Sequence, residues 1–317
     1  MNIILTYLFY ILVFPGILFI TLMGLLLQGL DRKLVARMQK RVGPPITQPL
    51  YDFFKLMGKE TIIPERANKK VFLGAPVVGF VSLIITALFI PIFSFSPFGF
   101  SADILVILYL LTVPGVCLIL GGSASGSPFG GIGASREMVT MMAYELPFIL
   151  ILLTIGKATG GSYLCFSLEQ IVAYQEFEGS FITHLSLIPA ALAMLLVVPA
   201  EVGAQPFDAA EAETEICEGP LVEYSGAPLA MFKLNTSIKM YVMAALFTML
   251  FCGGIYTGNI FLDILVLILI CILVTFLTST LIHAITARLK IEHLFKFYWT
   301  VVAGLALLSM ILVWIGL

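Results

Sequence analysis

IILTYLFYILVFPGILFITLMGLLLQ, residues 3–28, runs for 26 positions without a single charged side chain. Crossing the hydrocarbon core of a bilayer takes about 20 apolar residues. No basic stretch precedes this run and no small-residue cleavage site follows it. It therefore reads as a first membrane span and not as a cleaved signal peptide.

The rest of the chain agrees. Of its 317 residues, 60% are apolar and 11% charged, against about 25% charged in an ordinary soluble domain. Eight runs are long enough to span: 3–28, 71–93, 103–121, 138–156, 184–201, 229–252, 260–282 and 297–316. The expected fold is a single all-α integral membrane domain of about eight transmembrane helices. That composition makes the lipid bilayer a partner, while the net charge of −2 says nothing about nucleic acid and no basic tail suggests it. Five cysteines and three histidines lie far apart with no metal-ligand spacing, so no metal or Fe–S cluster is expected in this chain.

Ten of the 17 Lys and Arg fall between residues 31 and 70. Arg136 lies in the third loop, Arg288, Lys290 and Lys296 in the seventh, and none in the second or sixth. The positive-inside rule then makes the odd-numbered loops cytoplasmic and puts both termini outside a multi-pass protein of the cell membrane. Within the first loop, 47–59 carries Leu50, Phe53, Phe54 and Met57 at i, i+3, i+4 and i+7, with Asp52, Lys55 and Lys59 opposite. Too short to span, it predicts an amphipathic helix lying in the cytoplasmic interface or packed on a partner subunit. The glycine-rich 121–138 reads as a flexible loop allowing close approach or a hinge.

The fifth loop runs against the rule. Glu201, Asp208, Glu211, Glu213, Glu215, Glu218 and Glu223 fall within 23 positions, with no Lys or Arg among them. Like charges this dense raise one another's proton affinity. If 208–218 is helical, Asp208, Glu211, Glu215 and Glu218 form one stripe, able to pass protons, hold a cation or dock a basic partner. Glu145 lies in the fourth span, nine residues or about 14 Å past Arg136. An ionisable group at that depth is a functional candidate by default. Lys233 and Lys239 open the sixth span as counter-charges to the acids or as snorkelling anchors. Asp31, Arg32 and Lys33 directly follow the first span, as topology determinants or as part of a docking surface.

Three stretches carry a resemblance: DRKLVARMQKRVGPP (31–45), GSPFGGIGASREM (126–138) followed by AYELP (143–147), and PFDAAEAETEICEGPLVEYSG (206–226). The chain resembles, nearly end to end, the subunit 1 family of respiratory complex I and its hydrogenase relatives. That resemblance implies a subunit joining a peripheral redox arm to an ion-pumping membrane arm, with no cofactor of its own. The implied partners are hydrogenase-like large and small subunits on the cytoplasmic face, carrying Fe–S clusters and a [NiFe] centre, together with antiporter-like and small membrane subunits. Glu145 looks like the family's fourth-span Glu, and Glu201, Asp208, Glu211, Glu213 and Glu215 look like the acids that start its proton route. Glu218 and Glu223 join them by proximity. Asp31, Arg32, Lys33, Arg136, Lys233 and Lys239 are candidates for the contact with the redox arm. Two departures matter. Ala204 stands where quinone-reducing members usually carry Arg, and KLNTSIK (233–239) replaces their Glu-Tyr pair. The GSPFGGIGASRE form and the paired lysines, Lys233 and Lys239, are more similar to the anchor subunit of energy-converting [NiFe] hydrogenases. A quinone-site subunit, with quinone entering beside the first span and the interfacial helix, is the alternative, as is a ferredoxin-linked sulfur-reducing relative.

Overall fold

The computed structural model describes residues 3–92, 98–99, 101–161, 163–255 and 259–316. It is an all-helical membrane protein. Seven helical segments are long and apolar enough to cross a bilayer, and a shorter apolar helix, α8 (Ile188–Val202), stands among them.

The first span is broken and longer than expected. Helices α1 (Ile3–Leu12) and α2 (Ile17–Met38) are separated at Pro15 and Gly16. Proline has no N–H to continue a helix, and a Cβ on Gly16 would lie 1.9 Å from the Ile11 carbonyl oxygen. Past residue 28 the helix continues through Asp31–Arg32–Lys33, so these charges ride on its last turns and not in a loop.

Helix α3 (Gln48–Met57) forms close to the expected 47–59, with Pro49 in its first turn. Its apolar residues divide between two directions. Leu50 and Phe53 pack on the core, whereas Tyr51, Phe54 and Met57 are 61%, 63% and 45% exposed. Asp52, Lys55 and Lys59 line the cleft toward α2 and α10, and both lysines remain exposed.

Helices α4 (Lys69–Phe89) and α5 (Asp103–Ala124) pack as an antiparallel pair. Residue 93, the expected end of the second span, lies outside the described residues. Helix α6 (Pro128–Gly160) overturns the expected glycine-rich loop, because 121–124 end α5 and 128–138 open α6, leaving only 125–127 between the helices. The glycines serve contact. A Cβ on Gly133 would meet Pro220 Cδ at 2.4 Å, and one on Gly122 would meet Pro220 Cβ at 2.8 Å. At 33 residues α6 is about 50 Å long, well beyond the roughly 30 Å hydrocarbon core. It has turns to spare.

Helix α7 (Leu168–Glu178) follows, and its fully buried Gln175 closes the far end of α10 (Gly226–Cys252). Gln175 donates to the Met249 and Leu250 carbonyls at 2.9 and 3.2 Å, and Gly253 N–H donates back to it at 3.0 Å. Such end carbonyls have no partner within their own helix. Helix α10 is the central post, buried on nearly every side.

Helix α8 has only 15 residues, about 22 Å, less than a bilayer core. Its residues 190–202 are largely buried, so it need not match lipid thickness. Its first turns lie near α14 (Ala303–Ile315), where Ser309 donates to the Ser186 carbonyl. Its last turn carries Glu201, at the opposite end of the bundle. The chain finishes through α11 (Ile260–Thr275), α12 (Leu281–Ile285) and α13 (Ile291–Phe297), with π-helical turns at Phe276–Thr280 and Tyr298–Val302.

Candidate functional site

Between α8 and α10 the acidic segment folds as a compact cap, not as the long helix that would make a carboxylate stripe. Only α9 (Glu213–Ile216), a single turn, is α-helical. Gly219 explains why the chain doubles back. Its φ is +51°, and a Cβ there would lie 2.1 Å from the Ala210 carbonyl oxygen.

Four neighbours pin the cap. Arg288 binds Asp208 through Nη2 at 2.9 Å and Nε at 3.0 Å, and Leu289 N–H donates to the Pro206 carbonyl. Arg136, on α6, meets Glu215 at 2.5 Å. Pro220 sits against Gly122 and Gly133. Pro76 inside α4 has no N–H for the Phe72 carbonyl, and the Tyr224 hydroxyl donates to that carbonyl at 3.1 Å while its ring stacks on Phe72 at 4.0 Å.

Folded this way, the segment closes two adjoining cavities. The inner one, about 60 Å³, is walled by Glu137, Glu201, Asp208 and Glu211 together with Lys239 and Asn235. One water needs on the order of 10–15 Å³ of such space, so several fit. Among the described residues, Asp208 Oδ1 and Asn235 Oδ1, both in this wall, are buried without a protein hydrogen-bond partner. Lys239 Nζ lies 2.7 Å from Glu201 Oε1, with the two side chains 8% and 3% exposed. The outer cavity, about 310 Å³, takes in Asp31, Glu213, Glu218, Arg32, Lys233, His283 and Arg288. Asp208 and Glu211 belong to both walls.

Glu211 stands at the junction. Burial first, then the negative charges of Glu137, Asp208 and Glu218, push its carboxyl up to about 7, against a smaller lowering by Lys233. A carboxyl poised there exchanges its proton near neutral pH. Thr280 Oγ1, at the end of the first π turn, donates to Asp31 at 2.7 Å and fixes the far wall.

The site residues expected from sequence are thus sorted. Glu201, Asp208 and Glu211 meet in the inner cavity, while Asp31, Arg32, Lys233, Glu213 and Glu218 line the outer one. Glu215 and Arg136 form a clamp. Lys233 and Lys239 do not act as a pair: Lys239 is buried against Glu201, and Lys233 is exposed at the outer cavity. Glu223 is exposed, and neither it nor Lys33 lines either cavity. Glu145 lies deeper on α6, outside both cavities but within electrostatic reach of Glu201. The Tyr144 hydroxyl faces Glu201 and feels Glu137 and Glu145 as well.

Sequence reasoning missed two residues. Glu137 sat in what read as a loop, and Arg288 read as an orientation signal. Once α6 is seen to begin at Pro128, Glu137 and Glu145 are two turns apart on one helix, about 12 Å along its axis.

A family model described as NADH dehydrogenase matches residues 11–314. Hydrogenase-4 component C of Escherichia coli (strain K12) is 36% identical over 227 residues, covering 71% of this chain and 70% of that protein. An NADH-quinone oxidoreductase subunit of Dehalococcoides mccartyi is 30% identical over 304 residues, covering 93% of this chain and 82% of that protein. Among solved structures, a chain of the membrane-bound sulfane sulfur reductase, an archaeal respiratory membrane complex, superposes with a TM-score of 0.84 at 29% identity. That match covers 93% of this chain and 96% of the other.

Proposed function

The chain belongs to the NADH dehydrogenase family, and from that membership we propose that it couples electron transfer to ion movement inside a multi-subunit respiratory-type oxidoreductase. It joins a peripheral redox arm, hydrogenase-like in its large and Fe–S-bearing small subunits, to antiporter-like subunits of an ion-pumping membrane arm. The observation that carries this reading is the pair of acidic cavities that meet at Asp208 and Glu211 and lead along α6 through Glu137 toward Glu145.

In this reading the capped face is cytoplasmic, both termini lie outside, and the redox arm docks over the outer cavity. Asp31, Arg32, Lys33, Arg136 and Lys233 stand on that side. Lys239, buried against Glu201, acts inside as a counter-charge. An electron arriving about 10 Å from a carboxylate favours its protonation by about 1.7 kcal/mol at an effective dielectric constant of about 20, raising its pKa by a little over one unit. A group titrating near 7 responds to a change of that size. Glu211 takes a proton from the cytoplasmic side, Glu137 and Glu201 receive it through water in the inner cavity, and Glu145 hands it on. The chain provides carboxylates and a lysine for this work, and the electron carriers belong to its partners.

The similarity to hydrogenase-4 component C supports a hydrogenase-type arm. The NADH-quinone oxidoreductase relatives support a quinone-reducing one, against which Ala204 and the 233–239 segment stand. Quinone-dependent turnover of the purified complex separates them. The coupling role is tested by Glu145→Gln in membrane vesicles. Electron transfer should continue while ions moved per electron fall, and an unchanged ratio would remove Glu145 from the path.

A further inference from the structure

Next to the acidic chamber, and opposite to it in charge, lies a second compartment. It occupies about 400 Å³ between α2, α3 and α10, within the size range of small-molecule sites. Four cations line it, Arg32, Lys55, Lys59 and Lys233, against the single carboxylate of Asp52. Asp52 is already engaged, since Arg32 binds it at 3.1 Å and Gln48 donates to it at 2.9 Å. Among the described residues, Lys55, Lys59 and Lys233 form no ion pair. Lys55 and Lys59 therefore line the cavity as exposed lysines without an ion-pair partner, and Lys233 reaches it from the wall that it shares with the outer acidic cavity.

The remaining wall is apolar, made by Leu25, Phe53, Leu56 and Leu234. The outer face of α3 is apolar as well, with Tyr51, Phe54 and Met57 turned away from the protein. A helix in water would bury those side chains. Leaving them exposed beside the exposed Lys55 and Lys59 is favourable where the outer medium is acyl chain and the lysines meet anionic groups at head-group depth.

We propose that the cavity between α2, α3 and α10 binds an anionic phospholipid, its phosphate held by Lys55, Lys59 and Lys233 and its first acyl carbons by Leu25, Phe53 and Leu234. Lys233 also lines the outer acidic cavity.

The test uses the whole complex containing this chain, equilibrated with vesicles of equal phosphatidylglycerol and phosphatidylcholine and read by native mass spectrometry. Phosphatidylglycerol should be retained and phosphatidylcholine should not. Lys55→Gln with Lys59→Gln should cut retention by about tenfold or more, and Lys59→Gln alone by less. Lys69→Gln with Lys70→Gln, exposed lysines off the cavity, should leave retention unchanged. Equal retention of both lipids, no loss in the Lys55 and Lys59 variants, or the same loss in the Lys69/Lys70 control would overturn the proposal. So would displacement of the lipid by millimolar inorganic phosphate, which would make this a site for a soluble anion. Cross-links from position 54 to a protein subunit and not to lipid would also overturn it, by assigning the apolar face to a partner.

Discussion

A lysine enclosed in a membrane protein either gives up its proton or finds a carboxylate. Lys239 has Glu201 at 2.7 Å, and breaking such a pair from one side typically costs roughly 3–5 kcal/mol, because the survivor is left unpaired. Lys239→Met should therefore lower the thermal stability of the assembled complex, and adding Glu201→Leu should restore most of it. If the double variant is no more stable than the single one, the pair is not the reason. Glu211 gives a pH signature. Its folded carboxyl titrates near 7 against an ordinary value of 4.5, so the folded chain binds more protons than the unfolded one between those limits. Stability is then lost as pH rises from about 4.5 to about 7 and is level beyond. Glu211→Gln should match the parent below about 4.5 and be more stable above about 7, as read by thermal melts across pH. The acids of 201–223 were legible because charge so dense is out of place in this composition. Which of them face inward was not. That depends on Gly219 and Pro220 turning the chain back, and on Arg288, which approaches from 80 residues away.

At the scale of elements, apolar run length located the crossings, and i, i+3, i+4 spacing located α3. The misreadings have one cause. Glycine marks flexibility in isolation but close packing in a bundle, and sequence alone does not separate the two. The run at 128–138 is therefore the first three turns of α6, seated on Pro220. The consequence can be checked with a matched pair. Gly133→Ala puts a methyl group 2.4 Å from Pro220 Cδ and should cost about 1–3 kcal/mol, with faster hydrogen exchange across the acidic cap. Gly131→Ala points into open space and should be neutral or stabilising by up to about 1 kcal/mol. Equal behaviour of the two would mean that the cap does not rest on α6. The split of α3's apolar residues between core and surface was also hidden, because periodicity shows that two faces differ and not what each one meets.

Over the whole molecule, the central α10 and the buried α8 bring the ends of α2, α6, α8, α10 and α12 to one side, where the acidic segment caps them. The cap, the two cavities and α6 then form one stepwise descent from exposed acids toward Glu145. In the proposed path Glu137 is the step that links the cap to the membrane. The most direct measurement is the number of ions translocated per electron by the whole complex carrying Glu137→Gln, in sealed vesicles at neutral pH. Electron transfer should continue with that ratio sharply reduced. An unchanged ratio, at normal assembly and turnover, would contradict a proton path through Glu137.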